Sequence, residues 1–124
     1  MPNKARVLLW DIDKAAAAIE KFITGLDVES YARNELVHTA VERKFEIIGE
    51  ALSQLAKHDP VLAGRIPGLR EIIAFRNLLI HGYAMVEHER VWRTAHGPLP
   101  ALRAVVADII EELGGPEPLP PSRR

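Results

Sequence analysis

The stretch Val37-His-Thr-Ala-Val-Glu-Arg-Lys-Phe-Glu-Ile-Ile-Gly-Glu-Ala-Leu-Ser-Gln-Leu55 decides the fold class. Val37, Val41, Phe45, Ile48, Leu52 and Leu55 recur at three- and four-residue steps, so they form one stripe along a helix. Leu36, Ala40, Ile47 and Ala51 form a second stripe beside it. An apolar face this wide serves more than one packing neighbour. Ser30 is the expected N-cap, and the helix is expected to run to about Lys57, before Asp59-Pro60.

The same period extends in both directions. Upstream, Ile12, Ala15, Ala16, Ile19, Phe22, Ile23 and Leu26 keep helical spacing, with Gly25 near the stop. Downstream, a helix is expected from Pro67-Gly68 to His81-Gly82. A further one begins near Glu87, is interrupted at Gly97-Pro98, and resumes through Leu102, Val105, Val106, Ile109, Ile110 and Leu113. No segment of strand length alternates with period two. The expected fold is all-α: an antiparallel four-helix up-and-down bundle over residues 1–113, with extra short helical segments, that dimerises. The stretch from Gly114 to Arg124 holds Pro116, Pro118, Pro120 and Pro121 and reads as a disordered tail.

Composition sets outer bounds. The chain has 124 residues, one domain's worth, with 48% apolar and 27% charged residues, which excludes global disorder. No window approaches eighteen consecutive apolar residues, so no membrane-spanning helix is expected. Asp11 and Asp13 come too early for a secretory signal. Cysteine is absent, which excludes disulfides, thiolate catalysis and cysteine-ligated zinc, and a cytoplasmic location is expected. The net charge is −1, so any contact with RNA must come from a local patch.

Chemistry concentrates in Arg70-Glu-Ile-Ile-Ala-Phe-Arg-Asn-Leu-Leu-Ile-His-Gly-Tyr83. On a helical wheel Leu69, Ile72, Ile73, Leu79 and Ile80 form an apolar arc with Arg76 in its middle. Asn77, Arg70 and His81 share the polar side. An arginine there is costly unless it is paired or faces a cavity. An ion pair with Glu46 or Glu50 of the preceding long helix accounts for it structurally. His81 lies five residues later, about 140° round the helix and ~7.5 Å along it. One straight helix cannot aim both side chains at one atom. A frayed helix end could bring them together, and so could two helices meeting across a two-fold axis. The second arrangement gives a cleft with two arginines and two histidines, suited to a phosphodiester. A terminal histidine satisfied by the helix dipole is the structural alternative.

Arg76-Asn77-Leu78-Leu79-Ile80-His81-Gly82-Tyr83 fits an R-x4-H-x-Y signature. It resembles that of the HepT-like toxins in the HEPN superfamily of ribonucleases. Arg43 to Ala51, Pro67 to Ile72, Val91-Trp92 and Leu99 to Leu102 also look like family segments, so the resemblance runs from about Val7 to Leu113. It implies a dimeric helical bundle whose two signatures form one composite site. It implies metal-independent RNA cleavage by 2′-hydroxyl attack, with Arg76, His81 and Asn77 in the site. It further implies a toxin–antitoxin module whose partner, the nucleotidyltransferase MntA, transfers AMP to Tyr83. Glu46, Glu50 and Arg70 are candidate supporting residues. No cofactor is expected. The alternative function is a non-catalytic helical module that binds a small nucleotidyltransferase or a nucleotide. A third reading makes Arg76 and His81 purely structural.

The remaining polar residues carry plainer expectations. His38, His58, His88 and His96 show no ligand spacing along the chain, so no metal site is expected. Arg43 is expected to neutralise Glu46 and Glu50. Arg90, Arg93 and Arg103 read as a solvated helix face, with an RNA groove as the alternative. Trp10 and Trp92 are expected as core or interface anchors.

Overall fold

The computed structural model describes residues 3–82 and 86–115. Among them lie seven helices: α1 (Lys4–Ile23), α2 (Val28–Arg33), α3 (Glu35–His58), α4 (Pro60–Ala63), α5 (Leu69–His81), α6 (His88–His96) and α7 (Pro98–Glu112). The all-α expectation holds, and no strand occurs among the described residues. No helix among them is long and apolar enough to cross a membrane.

The long second helix of the sequence reading divides in two. Ser30 is not its N-cap. Asp27 caps α2, its carboxylate accepting from the Ser30 backbone N–H at 2.8 Å while the Ser30 hydroxyl accepts from the Asp27 N–H at 3.0 Å. This reciprocal pair satisfies two of the donors that a helix start leaves open. The chain then breaks at Asn34, whose side chain accepts from the Val37 N–H at 3.1 Å and starts α3. An asparagine offers the backbone this local bond in place of continued helix. Asp59 caps the single turn of α4, with Pro60 in its first positions. Gly68 precedes α5 with φ +73°, a left-handed geometry that favours glycine. Pro98 likewise opens α7 after the break at Gly97.

The helix α3 is the centre of the bundle. It packs against α1 on one side and α5 on the other, which the doubled stripe anticipates, and α7 packs against α1. Leu9, Ile12 and Ile19 of α1, Phe45, Ile48 and Leu52 of α3, Ile72 of α5 and Leu102 and Ile109 of α7 are all fully buried. Phe45 and Phe75 meet edge to face at 5.2 Å between ring centroids, joining α3 to α5. Arg103 of α7 donates to Asp13 at 3.0 Å and to Glu20 at 3.3 Å on α1. Its charge is therefore committed to holding α7 on α1, and not to an RNA groove. Gly114 and Gly115, where the tail was expected to begin, lie beside α1: the Arg6 guanidinium donates to the Gly115 carbonyl at 2.9 Å. Residues 116–124 lie outside the described residues.

Removing core volume tests this arrangement. Leu52→Ala should lower the unfolding free energy by about 2–5 kcal/mol in urea denaturation, because Leu52 has no exposed surface. Val61→Ala should change it by no more than about 0.5 kcal/mol, because Val61 is 82% exposed.

Candidate active site on α5

The polar half of the site is built where α5 crosses α3. Arg76 sits directly over Gly49. A Cβ placed on Gly49 would lie 2.3 Å from Arg76 Cβ and 2.6 Å from its Cγ. The missing side chain therefore admits the aliphatic stem of Arg76 against the α3 backbone. The face of α5 that is buried is Ile72, Phe75 and Leu79, with Ile80 exposed, so Arg76 stands at the flank of the buried face and not in its middle: its stem is covered by α3 and its head reaches the rim.

The guanidinium is held from two sides. Its Nη2 donates to Glu50 Oε1 of α3, and its Nη1 donates to Asn77 Oδ1 at 2.8 Å. The Nε is buried without a hydrogen-bond partner. The Arg76 side chain keeps a quarter of its surface exposed, and that of Glu50 about half. The ion pair with Glu50 is thus the one that the structural reading foresaw, but it is not sealed off. Glu50 also accepts from Gln54 at 3.2 Å. Arg43 pairs with Glu46 at 3.2 Å, as expected, whereas Glu50 turns to Arg76 instead of Arg43. The two carboxylates therefore have separate cations and form no carboxylate dyad.

Arg76 opens onto a groove of about 330 Å³ between α1, α3 and α5. Asp11, Arg43, Glu46, Glu50 and Ile80 contribute to its walls. His81 is not among its lining residues. It is the last residue of α5 and is exposed, and the following Gly82 N–H closes the helix on the Leu78 carbonyl at 2.7 Å. One chain therefore does not bring Arg76 and His81 into a single pocket, in agreement with their 140° separation. Asn77 bridges two concavities. It touches Arg76 on one side and on the other lines a second hollow of about 250 Å³ with Arg70 and Ile73. Tyr83 lies outside the described residues.

Two features escaped the sequence reading. Gly49 lay in plain view inside a helical pattern, where an isolated glycine signals a close approach. The second is a cluster of His38, Glu42 and His88. Their donor atoms lie within 4.8 Å of one another, so the expectation that the histidines stand apart from any ligand set does not hold for these two. No chain spacing could reveal it, because His88 reaches α3 from α6, a different helix far along the chain. Trp92 is half-buried against Tyr31, 5.4 Å between ring centroids, and serves as the expected anchor. Trp10 packs under the Lys14 ammonium at 4.2 Å.

An all-helical frame with an arginine tethered over a glycine, and a histidine one turn on at an exposed helix end, defines a class of small helical R-x4-H proteins. The chain belongs to the ribonuclease HepT-like family, whose pattern matches residues 12–109. As a member it is an RNA-cleaving enzyme. It is 30% identical over 116 residues to a Methanocaldococcus jannaschii protein named as a candidate RNase, covering 93% of this chain and 95% of that one. A second protein of that organism, similarly named, is 32% identical over 91% of this chain and 97% of its own length. A Thermococcus cleftensis protein, named as a candidate ribonuclease HepT, is 34% identical over 83% of this chain and 93% of its own. No solved structure matches significantly.

The α3–α5 crossing makes a prediction that helix propensity alone would get backwards. Alanine is favoured over glycine in a helix by about 0.5–1 kcal/mol. At Gly49 the added methyl would meet the Cβ of Arg76, which cannot swing away. Overpacking costs about 1–3 kcal/mol, so Gly49→Ala should be net destabilising in urea denaturation.

Proposed function

We propose that this chain is the RNA-cleaving toxin of a two-gene toxin–antitoxin module, acting without a metal ion as a symmetric dimer. The observation that carries the reading is that Arg76 and His81 share one helix while His81 stands exposed outside the groove that Arg76 lines. A two-fold axis beside α5 supplies the missing partner, setting His81 of one protomer near Arg76 of the other. Ile80, an apolar residue 38% exposed between them, is available to that contact.

The chemistry follows from the side chains. One His81 takes the proton of the ribose 2′-hydroxyl. The 2′-oxygen attacks the adjacent phosphorus, and the bond to the 5′-oxygen breaks. The second His81, protonated, returns a proton to that leaving oxygen. Arg76 donates to the non-bridging oxygens as negative charge develops on them. Glu50 and Asn77 orient its guanidinium and hold it at the groove rim. Arg70, which lines the hollow on the Asn77 side, would meet a neighbouring phosphate. Glu46, engaged by Arg43, supports the wall of the groove. The products are a 2′,3′-cyclic phosphate and a 5′-hydroxyl.

Control falls to Tyr83, two residues past His81. The antitoxin is a MntA-like nucleotidyltransferase that attaches AMP to its hydroxyl. The added phosphate competes with RNA for the same cationic groups and blocks the cleft by bulk.

Two measurements test this reading. The wild-type chain should cleave RNA in the presence of EDTA and leave cyclic-phosphate ends. His81→Ala should lose about 10²–10⁴-fold in rate, the usual worth of proton transfer, while circular dichroism stays unchanged. Loss of wild-type cleavage in EDTA, or full activity in His81→Ala, would contradict it. In the second measurement, incubation with the antitoxin and ATP should add AMP to Tyr83 by peptide mass spectrometry. Tyr83→Phe should remain unmodified and toxic. Modification at Tyr31 instead would contradict the assignment.

A further inference from the structure

The side chains around Tyr31 present a problem that the RNA-cleaving site does not explain. His38 and Glu42 lie one turn apart on α3, and His88 is the first residue of α6. The two imidazoles stack at 4.0 Å between centroids, tilted by 30°. His38 Nδ1 lies 3.7 Å and His88 Nδ1 3.9 Å from the same atom, Glu42 Oε2. Both distances exceed a hydrogen bond. Both nitrogens are buried without a hydrogen-bond partner, and so is the hydroxyl of Tyr31. Apart from Arg76 Nε, these are the buried polar side-chain atoms left unsatisfied among the described residues. Buried donors and acceptors that go unpaired are costly, so a group of them converging on one carboxylate calls for a ligand.

From this geometry we infer that His38, Glu42 and His88 form a binding site for a first-row transition-metal dication of the zinc type. Two nitrogens and one carboxylate oxygen are the donor set that such ions take, and calcium or magnesium would demand more oxygen. Bonds of about 2.0–2.1 Å put tetrahedral ligand atoms about 3.4 Å apart and allow no pair beyond about 4.2 Å. The two nitrogen–oxygen separations fall inside that range. The three donor atoms lie within 4.8 Å of one another, so a small rotation of either imidazole completes the set. A fourth position remains for water.

The surroundings suit a fixed ion. Tyr31 is fully buried beside the cluster and meets each imidazole in a T-shaped contact, at 6.2 Å between centroids in both cases. Side-chain exposure of 16% for His38, 30% for Glu42 and 37% for His88 leaves a way in from solvent. The ion would tie the first turn of α6, which packs on α2 and α7, to α3. It has no part in the RNA cleavage proposed above, and the site does not depend on that reading.

The test uses the full-length chain without an affinity tag, stripped with EDTA and titrated with Zn²⁺ by calorimetry, with thermal unfolding in parallel. One equivalent per chain should bind and raise the melting temperature. Glu42→Gln and His88→Gln should each weaken binding about 100-fold or more, since even outer-shell changes cost 10–100-fold. His58→Gln, at the far end of α3, should bind like wild type. Absence of stoichiometric binding to wild type, or wild-type binding by both cluster variants, would overturn the site. If the variants do not fold, Co²⁺ added to wild type decides. An intense visible band of a four- or five-coordinate ion supports the site, and the weak spectrum of the hydrated ion refutes it.

Discussion

The contact between Gly49 and Arg76 is the constraint on which the candidate site depends. A cation cannot sit at the flank of a buried apolar face without cost. Here the cost is met by geometry. The glycine lets the α5 backbone approach α3 closely enough for three methylenes to be buried, and the guanidinium emerges at the rim beside Glu50 and Asn77. The rest of the groove follows from that crossing: its α3 wall carries Glu46 and Glu50, and Ile80 closes it on the α5 side. A side chain at position 49 would push the helices apart and move the guanidinium with them.

The charges divide into those that build the bundle and those that remain available. Arg103 is spent on Asp13 and Glu20, Arg65 on Glu112 at 2.6 Å, and Arg43 on Glu46. Arg76 is paired but still a quarter exposed. Exposed ion pairs contribute little to stability, so the Arg76–Glu50 pair is better understood as orienting a donor than as holding the fold. Arg70, at the edge of the neighbouring hollow, extends the same rim. With a net charge of −1, any polyanion must be bound through such a local rim and not by overall attraction.

The cluster around Tyr31 follows another logic. Around Tyr31 the aromatic rings of α2, α3 and α6 are packed tightly while their polar atoms remain unsatisfied. Hydrophobic packing alone explains Tyr31 and Trp92, but it does not explain two imidazole nitrogens turned toward a single carboxylate oxygen. The R-x4-H-x-Y signature on and just after α5 uses none of His38, Glu42 and His88. The α5 groove and the histidine cluster therefore answer to separate demands within one small core.

By itself the sequence determined what depends on neighbours along the chain. Three- and four-residue periodicity set the main helices, the doubled stripe on α3 required two packing partners, and R-x4-H-x-Y marked the family. Those features are local, because side chains three or four apart share a helix face whatever lies opposite. Even locally, competition among short-range bonds was not legible: Asp27 outcompeted Ser30 as the cap, and Asn34 split one expected helix into two. Tertiary structure alone decided which residues of different helices meet. Glu50 and not Glu46 faces Arg76, Gly49 lies beneath its stem, and His88 stacks on His38. Those pairings depend on how far each helix is rotated and where it crosses its neighbour. Both are set by the sum of all core contacts, so no single spacing in the chain encodes them.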